Sequence, residues 1–367
     1  MRVAVYAIAL NEAAEVAGWD EATRDADYRL VVDTGSTDNT RQLLTVTGAH
    51  VVPALIRPWR FDDARNMALN SLPADIDVCF SLDMDERPKP GWRQALEAAW
   101  TPDLHLLFHP YQNGAKSHHA CRFHSRTGFR WTGAYQEVLH WRAESSFNSA
   151  TCQDIVVEHF SRHKSRPDEL ALLREGARES PHDSHRIFSY AAALLRQGYL
   201  QDGQAEMQRF IALGGSGDRL ALLWRLVAQL DEPNAVAHLE QAQQASRNAT
   251  NYLAFAEHYF RSQEWGLCYL SCQYALSFIR GNPQRIPVYT DDERLRGPLL
   301  HDLAAAAAWN LWDYEAAYGH AVEAVRRAPN DRVLVNRLLE VHSKIKAGAT
   351  LDPGMTITPV AQLMGEP

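Results

Sequence analysis

The sequence predicts two domains of different class: an α/β domain over residues 1–165 and an α-helical domain over residues 166–346, followed by a tail at 347–367. In the first part, apolar runs typical of buried strands alternate with helical stretches, which indicates a sheet covered on both faces. The second part is rich in Ala and Leu and has a helical period throughout. The tail contains Gly, Pro and Thr with only a weak pattern, which is typical of a loose terminus.

The predicted elements of the first domain follow from its apolar runs. Strands are predicted at Val3–Leu10, Tyr28–Val32, Val51–Leu55 and Ile76–Leu82, with helices at Ala13–Arg24, Asn39–Thr47 and Asp63–Leu72 between them. Polar segments follow three of the strands. Because ligands of open α/β sheets bind outside the carboxyl ends of the strands, we expect these segments to form one site.

An acidic pair follows the fourth predicted strand. Asp83 and Asp85 are spaced i, i+2, so that in an extended chain both carboxylates point to the same side. Two such oxygen ligands can bind a hard divalent cation such as Mg²⁺ or Mn²⁺, which could in turn hold a diphosphate. The alternative is a pair of aspartates that only caps a turn.

A Gly/Ser/Thr turn follows the second strand at 33–40. Asp33 at the strand end can accept a hydrogen bond from a nucleobase N–H or a ribose hydroxyl, and the amides near Gly35 and Ser36 can meet phosphate or ribose oxygens. The simpler interpretation is that this turn only caps the next helix. The nucleobase is expected near Leu10–Glu12, which includes Asn11.

Arg65 lies in the first turn of the third predicted helix. Three interpretations remain open: it reaches a phosphate, it pairs with a carboxylate of the metal site, or it is solvated.

Four segments in order carry a resemblance to a known family: Asn11-Glu12, Val32–Asp38, Phe61–Asn66 and Leu82–Glu86. Together they resemble family 2 glycosyltransferases of the GT-A (Rossmann-like) fold. They are similar in particular to the bacterial and phage members with a C-terminal tetratricopeptide-like (TPR-like) region. This resemblance implies inverting sugar transfer from a nucleoside-diphosphate sugar, expected to be a UDP-sugar. It also implies a metal-binding D-x-D at Asp83 and Asp85, with Asp85 essential for turnover.

Further roles are implied only by the resemblance. Glu137 is the expected general base, although the preceding Gln136 replaces the histidine of the family and a structural ion pair is the competing interpretation. His159 is the expected third metal ligand, and Lys164 belongs to a basic segment that would contact the departing diphosphate. The expected nucleotide-binding residues are Leu10, Asn11, Glu12, Asp33, Gly35, Ser36, Arg65, Asp83 and Lys164.

The second domain predicts helical repeats. Helix-turn-helix units begin near Asp183, Gly217, Thr250, Gly297 and Asp331, with steps close to 34 residues except for one longer step. This period is typical of TPR repeats, and an irregular helical bundle is the alternative. Equivalent turns are predicted at 196–199, 262–265 and 311–314. Repeat arrays bind peptides and proteins, so we expect this domain to hold an acceptor or to mediate self-association.

Composition limits the class of protein. The net charge is −8, which disfavours general binding to nucleic acid or to anionic membranes. The odd number of scattered cysteines, five, favours a reducing, cytoplasmic location over a disulfide scaffold. The first apolar run is short and lacks a cleavage site, so it is interpreted as a strand and not a signal peptide.

Three functions remain in view. The leading one is a metal-dependent glycosyltransferase whose acceptor is a protein or peptide, a glycan, or a modified nucleobase. A nucleotidyltransferase would share the nucleotide-binding sheet but would release pyrophosphate. A non-catalytic interaction protein would use the repeats alone and would not bind a nucleotide with metal.

Overall fold

The computed structural model describes residues 1–114, 116–143, 146–160, 169–281 and 292–346. The chain divides into two compact units, Met1–Glu179 and Ser180–Pro367. The expected domain boundary at residue 165 and the expected tail at 347–367 lie outside the described residues.

Short strands make up much of the first unit. In chain order they are β1 (Val3–Ala9), β2 (Tyr28–Asp33), β3 (His50–Pro53), β4 (Val78–Ser81), β5 (Glu86–Pro88), β6 (Leu106–Asn113), β7 (Lys116–Ser125), β8 (Phe129–Thr132), β9 (Val138–Trp141), β10 (Ser149–Thr151) and β11 (Val157–His159). Its helices are α1 (Val16–Thr23), α2 (Thr40–Val46), α3 (Phe61–Asn70), α4 (Trp92–Ala99) and α5 (Glu169–Glu179).

The main sheet has the order β3-β2-β1-β4-β7-β6-β11-β5, and β10 also pairs with β6. Strands β3, β2, β1 and β4 are mutually parallel, whereas β7 runs antiparallel to both β4 and β6. Strands β8 and β9 form a separate antiparallel pair. The register places Ala9, the last residue of β1, opposite Asp33, the last residue of β2.

Both faces of the main sheet are covered, as its apolar runs predict. Alternate residues of β1 enter two different cores: Val3 and Val5 pack in one with Trp19, whereas Ala4 and Tyr6 pack in the other. The predicted strands and helices of this part are confirmed, although their ends shift by a few residues. Strand β4 is shorter than predicted, and α3 begins at Phe61 rather than Asp63.

The second unit is helical over its described residues. Its helices are α6 (Ser184–Arg196), α7 (Leu200–Ala212), α8 (Gly217–Leu230), α9 (Ala235–Ala245), α10 (Ala249–Arg261), α11 (Trp265–Gly281), α12 (Asp292–Arg296), α13 (Leu299–Asn310), α14 (Tyr314–Arg327) and α15 (Arg332–Lys346), with a short 3₁₀ helix at Glu232–Asn234. Helices pack mainly as the pairs α6 with α7, α8 with α9, α10 with α11 and α13 with α14.

The predicted repeat starts are confirmed, because α6, α8, α10, α13 and α15 each begin within two residues of the predicted position. The three predicted turns also share one backbone feature. Gly198, Gln263 and Trp312 each adopt the left-handed conformation, with φ of 88°, 60° and 66°. None of the described helices combines the length and apolar character needed to cross a bilayer.

Candidate active site

Three polar segments meet at one edge of the sheet. Strands β2, β1 and β4 are parallel neighbours, and their carboxyl ends lead into the segments that begin at Leu10, Thr34 and Leu82. Because the strands run in the same direction, the three segments emerge on the same side of the sheet. The fold thus brings together the segments that the sequence predicts to share a ligand site.

The carboxylate of Asp33 has one bonded oxygen and one open oxygen. Asp33 is only 1% exposed. Its Oδ1 accepts hydrogen bonds from the amides of Gly35 at 3.2 Å and Ser36 at 3.1 Å. Its Oδ2 is buried and has no hydrogen-bond partner among the described residues. Since an unpaired buried acceptor is costly, this oxygen is suited to an N–H or O–H donor of a ligand.

The segment after β1 is fastened to the segment after β2. Asn11, in the left-handed conformation with φ of 56°, accepts the Thr37 amide on its Oδ1 at 2.8 Å. The Asn11 amide donates to Ser36 Oγ at 2.9 Å, and the Glu12 amide donates to Thr40 Oγ1 at 2.7 Å. The Leu10 side chain remains 50% exposed. Asn11, Gly35 and Ser36 therefore hold the two segments and the Asp33 carboxylate in place.

Asp83 is bound by arginine on both oxygens. Arg65 donates from Nη2 to Oδ2 at 3.0 Å, and its Nη1 lies 2.8 Å from Oδ1 in an ion pair. A second guanidinium, that of Arg122, lies 3.8 Å from Oδ2. Burial opposes ionisation of Asp83, but the charges of Arg65 and Arg122 outweigh it and hold its pKa well below the ordinary value. Of the three predicted contacts of Arg65, the structure therefore has the one with a carboxylate, and the role of Asp83 at a metal stays a prediction.

Asp85 faces His159 across the end of the sheet. Asp85 Oδ2 lies 3.2 Å from His159 Nε2, and both side chains are about one quarter exposed, at 27% and 23%. The carboxylate oxygen fits Mn²⁺ or Mg²⁺, and the imidazole nitrogen makes the pair better suited to a transition metal such as Mn²⁺ than to Mg²⁺. Asp83 fits less well because Arg65 already holds both of its oxygens. Within the described ranges, no group of three or more His, Cys, Asp or Glu side chains is arranged around a metal position.

Arg65 also joins Asp83 to Glu137. Its Nε donates to Glu137 Oε1, and its guanidinium lies over the Trp131 ring at 5.1 Å from the centroid. Arg65 is 6% exposed, which rules out the solvated interpretation. The neighbouring carboxylates of Asp83 and Glu137 raise the pKa of Arg65 above its ordinary value despite burial. Gln136, where the resemblance implies a histidine, is exposed and has φ of 52°.

Glu86 is a site residue that the sequence did not single out. It is 1% exposed, and its Oε2 accepts the Asp83 amide at 3.0 Å. Its Oε1 accepts the Tyr111 hydroxyl at 2.7 Å and a bond from Arg122. Burial raises its pKa above the ordinary value. Glu86 thus links the backbone at Asp83 to the side chains of Tyr111 in β6 and Arg122 in β7. These distant partners could not be identified from the local sequence pattern.

One predicted site residue cannot be placed. Lys164 lies in the segment 161–168, outside the described residues.

No model of a known protein family matches the chain, and no curated protein matches it. Among solved structures, glucosyl-3-phosphoglycerate synthase from Mycobacterium tuberculosis, in complex with Mn²⁺, UDP and glucosyl-3-phosphoglycerate, is similar at 25% identity and a TM-score of 0.26. The similarity covers 30% of this chain and 44% of the synthase, so the chain spans less than half of that protein.

Two further solved structures are similar to about half of this chain. A thermophilic TPR protein from Thermus thermophilus shares 18% identity over 47% of this chain and 89% of its own, with a TM-score of 0.31. The APC/C hetero-tetramer Cut9–Hcn1 shares 12% identity over 48% of this chain and 33% of its own, with a TM-score of 0.36.

Proposed function

We propose that the chain is a metal-dependent glycosyltransferase of the family 2, GT-A type that uses a nucleoside-diphosphate sugar. The observation that carries the proposal is the open buried oxygen of Asp33, at the same sheet edge as the Asp85–His159 pair. Strand β1 lies between β2 and β4, so the strand ends that lead to Asp33 and to the turn containing Asp85 are two strand spacings apart, roughly 10 Å. A nucleoside diphosphate is long enough to contact both.

Asp33 would recognise the nucleoside. Its Oδ2 can only accept, so a base with a ring N–H, such as uracil, satisfies it, whereas the ring N3 of cytosine, itself an acceptor, does not. The exposed Leu10 side chain lies on the neighbouring segment and offers an apolar surface to the base. This chemistry supports a UDP-sugar as the donor.

Asp85 and His159 would hold Mn²⁺ or Mg²⁺. When bound there, the metal supplies positive charge that stabilises the departing diphosphate. Asp83 contributes differently, because its ion pair with Arg65 holds the start of the turn that contains Asp85. The positive charge for the leaving group would come from the metal held by Asp85 and His159.

Glu137 is proposed to accept the proton of the acceptor hydroxyl. In the transfer, the acceptor oxygen bonds to the anomeric carbon as the bond from that carbon to the diphosphate oxygen breaks, and the proton goes to the carboxylate. The ion pair with Arg65 positions Glu137 next to Asp83. A protein or peptide is the first proposed acceptor because helical repeats bind such partners; a glycan or a modified nucleobase, and self-association through the repeats, are the other proposals.

The cellular location is proposed from the cysteines. All five are free thiols, which supports a cytoplasmic location.

A panel of nucleotide sugars tests the proposal. The protein is incubated with UDP-, GDP-, ADP- or CDP-sugars and Mn²⁺, and free nucleoside diphosphate is measured. We expect slow hydrolysis of a UDP-sugar that stops when EDTA removes the metal. Pyrophosphate release from a nucleoside triphosphate would instead show a nucleotidyltransferase. No turnover and no nucleotide binding by calorimetry would identify a non-catalytic interaction protein.

A further inference from the structure

Arg87 lies two residues after Asp85, and its guanidinium bonds the backbone on both sides of Asp85. Its Nη1 donates to the carbonyl of Met84 at 2.6 Å and to that of Glu86 at 2.8 Å. The carbonyl between them, that of Asp85, accepts the Phe160 amide at 2.8 Å. All three carbonyls of the turn around Asp85 are therefore bonded, two of them by one guanidinium.

Arg87 is itself bound by Glu15, the residue that precedes helix α1. Arg87 Nη2 donates to the Glu15 carboxylate at 3.0 Å and to the Glu15 carbonyl at 3.1 Å. The guanidinium passes close to Gly18 in α1, where a Cβ would lie 2.7 Å from Arg87 Nε and 2.8 Å from Nη2. That distance is shorter than real contacts allow, so the absence of a side chain at Gly18 makes room for Arg87. The Arg87 side chain is 16% exposed.

We infer that Arg87 is a positioning residue for the metal site, and that Gly18 is the helix position that admits it. By bonding the carbonyls on either side of Asp85, Arg87 fixes the direction in which the Asp85 carboxylate points toward His159. A planar guanidinium can bond two carbonyls and a carboxylate at once, which a lysine ammonium does not do in the same geometry. This inference rests on the proposed function, because it assumes that Asp85 and His159 hold the metal.

The test uses Gly18→Ala in the full-length protein. The added methyl group displaces Arg87 without changing any charge, and alanine favours the helix more than glycine does. Because displacing Arg87 also breaks its ion pair with the largely buried Glu15, which outweighs the gain in helix propensity, we expect a lower melting temperature together with weaker Mn²⁺ binding. Loss of an outer support of a metal site typically weakens binding roughly 10- to 100-fold. Free Mn²⁺ is measured by electron paramagnetic resonance in the presence of UDP, and metal-free UDP binding is measured by calorimetry and should be unchanged.

A matched control is available in the helical unit. Gly319→Ala makes the same chemical change in α14, at a position where an added Cβ has no atom within 4 Å. It should leave Mn²⁺ affinity unchanged. The variant Arg87→Lys should weaken Mn²⁺ binding, and adding Gly18→Ala to it should cause no further loss, because both changes act through the same guanidinium.

The outcomes separate this inference from the proposed function. If the wild type binds UDP but no Mn²⁺, the proposed metal site is wrong and this inference fails with it. If the wild type binds both and Gly18→Ala binds Mn²⁺ equally well, only the positioning role is wrong. Additive losses in the double variant, or equal losses of metal-free UDP binding and of Mn²⁺ binding in Gly18→Ala, would likewise overturn it.

Discussion

Asp33 and Asp83 stand at the ends of strands separated only by β1, yet they differ in what remains open for a ligand. Asp33 is almost fully buried and keeps one oxygen unbonded among the described residues. Asp83 is more exposed, with 29% of its side chain accessible, but Arg65 binds both of its oxygens. Exposure alone therefore does not identify the residue available to a ligand. The hydrogen-bond and ion-pair partners identify it. In the segment after β4, they leave Asp85 as the carboxylate available to a ligand.

The largest expected effect is that of Asp85→Asn. If Asp85 is the metal-binding carboxylate of the segment after β4, its replacement should slow metal-dependent hydrolysis of the sugar donor roughly 10²- to 10³-fold. The reason is that the charge of the departing diphosphate is no longer stabilised. Nucleotide release over a Mn²⁺ series measures this. Asp25→Asn, an exposed aspartate in the turn before β2, is the matched control. Equal activity of the two variants would contradict the metal site.

Arg65→Met tests whether Asp83 is held by its ion pair. The change leaves two carboxylates, Asp83 and Glu137, without their buried partner, which typically costs about 3–5 kcal/mol. We expect a clear fall in the unfolding midpoint of the first unit, measured by thermal or urea denaturation. Arg24→Met removes an exposed pair with Asp20 and should cost less than about 1 kcal/mol. Similar losses from both variants would show that the Arg65 pairs contribute little.

Asp33→Asn tests the open oxygen. The variant can keep the carbonyl oxygen that accepts from Gly35 and Ser36, but it replaces Oδ2 with an N–H donor that would face the donor group of the base. UDP affinity should fall roughly 10- to 100-fold, equivalent to about 1.4–2.8 kcal/mol, with little change in melting temperature. Calorimetry without metal measures this, and unchanged affinity would place the base elsewhere.

A further prediction is a pH dependence of stability that rests on two buried histidines, His109 in β6 and His124 in β7. Burial lowers the pKa of His109 and of His124 to about 4 each. Because the unfolded imidazole titrates near 6.5, the unfolded state binds more protons between pH 6.5 and 4, and stability falls as the pH drops through that range. Each ring contributes at most about 1.4 kcal/mol per pH unit.

The variant His109→Leu isolates one of the two rings. His109 Nε2 has no hydrogen-bond partner among the described residues, so leucine loses the hydrogen bond from Nδ1 to the Pro110 carbonyl and the edge-to-face contact with Phe123. The slope of unfolding free energy against pH should decrease below pH 6.5. An unchanged slope would show that His109 is not buried in its neutral form.

The sequence predicted what depends on local pattern. Apolar runs located β1 to β4, and the helical period located the starts of the repeats, because burial on a strand or helix leaves a periodic signal. The pairing of Arg65 could not be chosen from three alternatives, since Glu137 lies 72 residues away and Asp83 lies 18 residues away. Glu86 was missed for the same reason, as its partners Tyr111 and Arg122 lie 25 and 36 residues away. Such pairs depend on strand order, which no local pattern contains.

The left-handed turns of the helical unit have a consequence for how such chains are compared. Glycine adopts this conformation freely, whereas Gln263 and Trp312 each carry a cost of about 1–2 kcal/mol for it. The three turns thus share one geometry, although only one of them has the residue that suits it. A comparison of residue identities would pass over these positions, while a comparison of backbone dihedral angles would align all three.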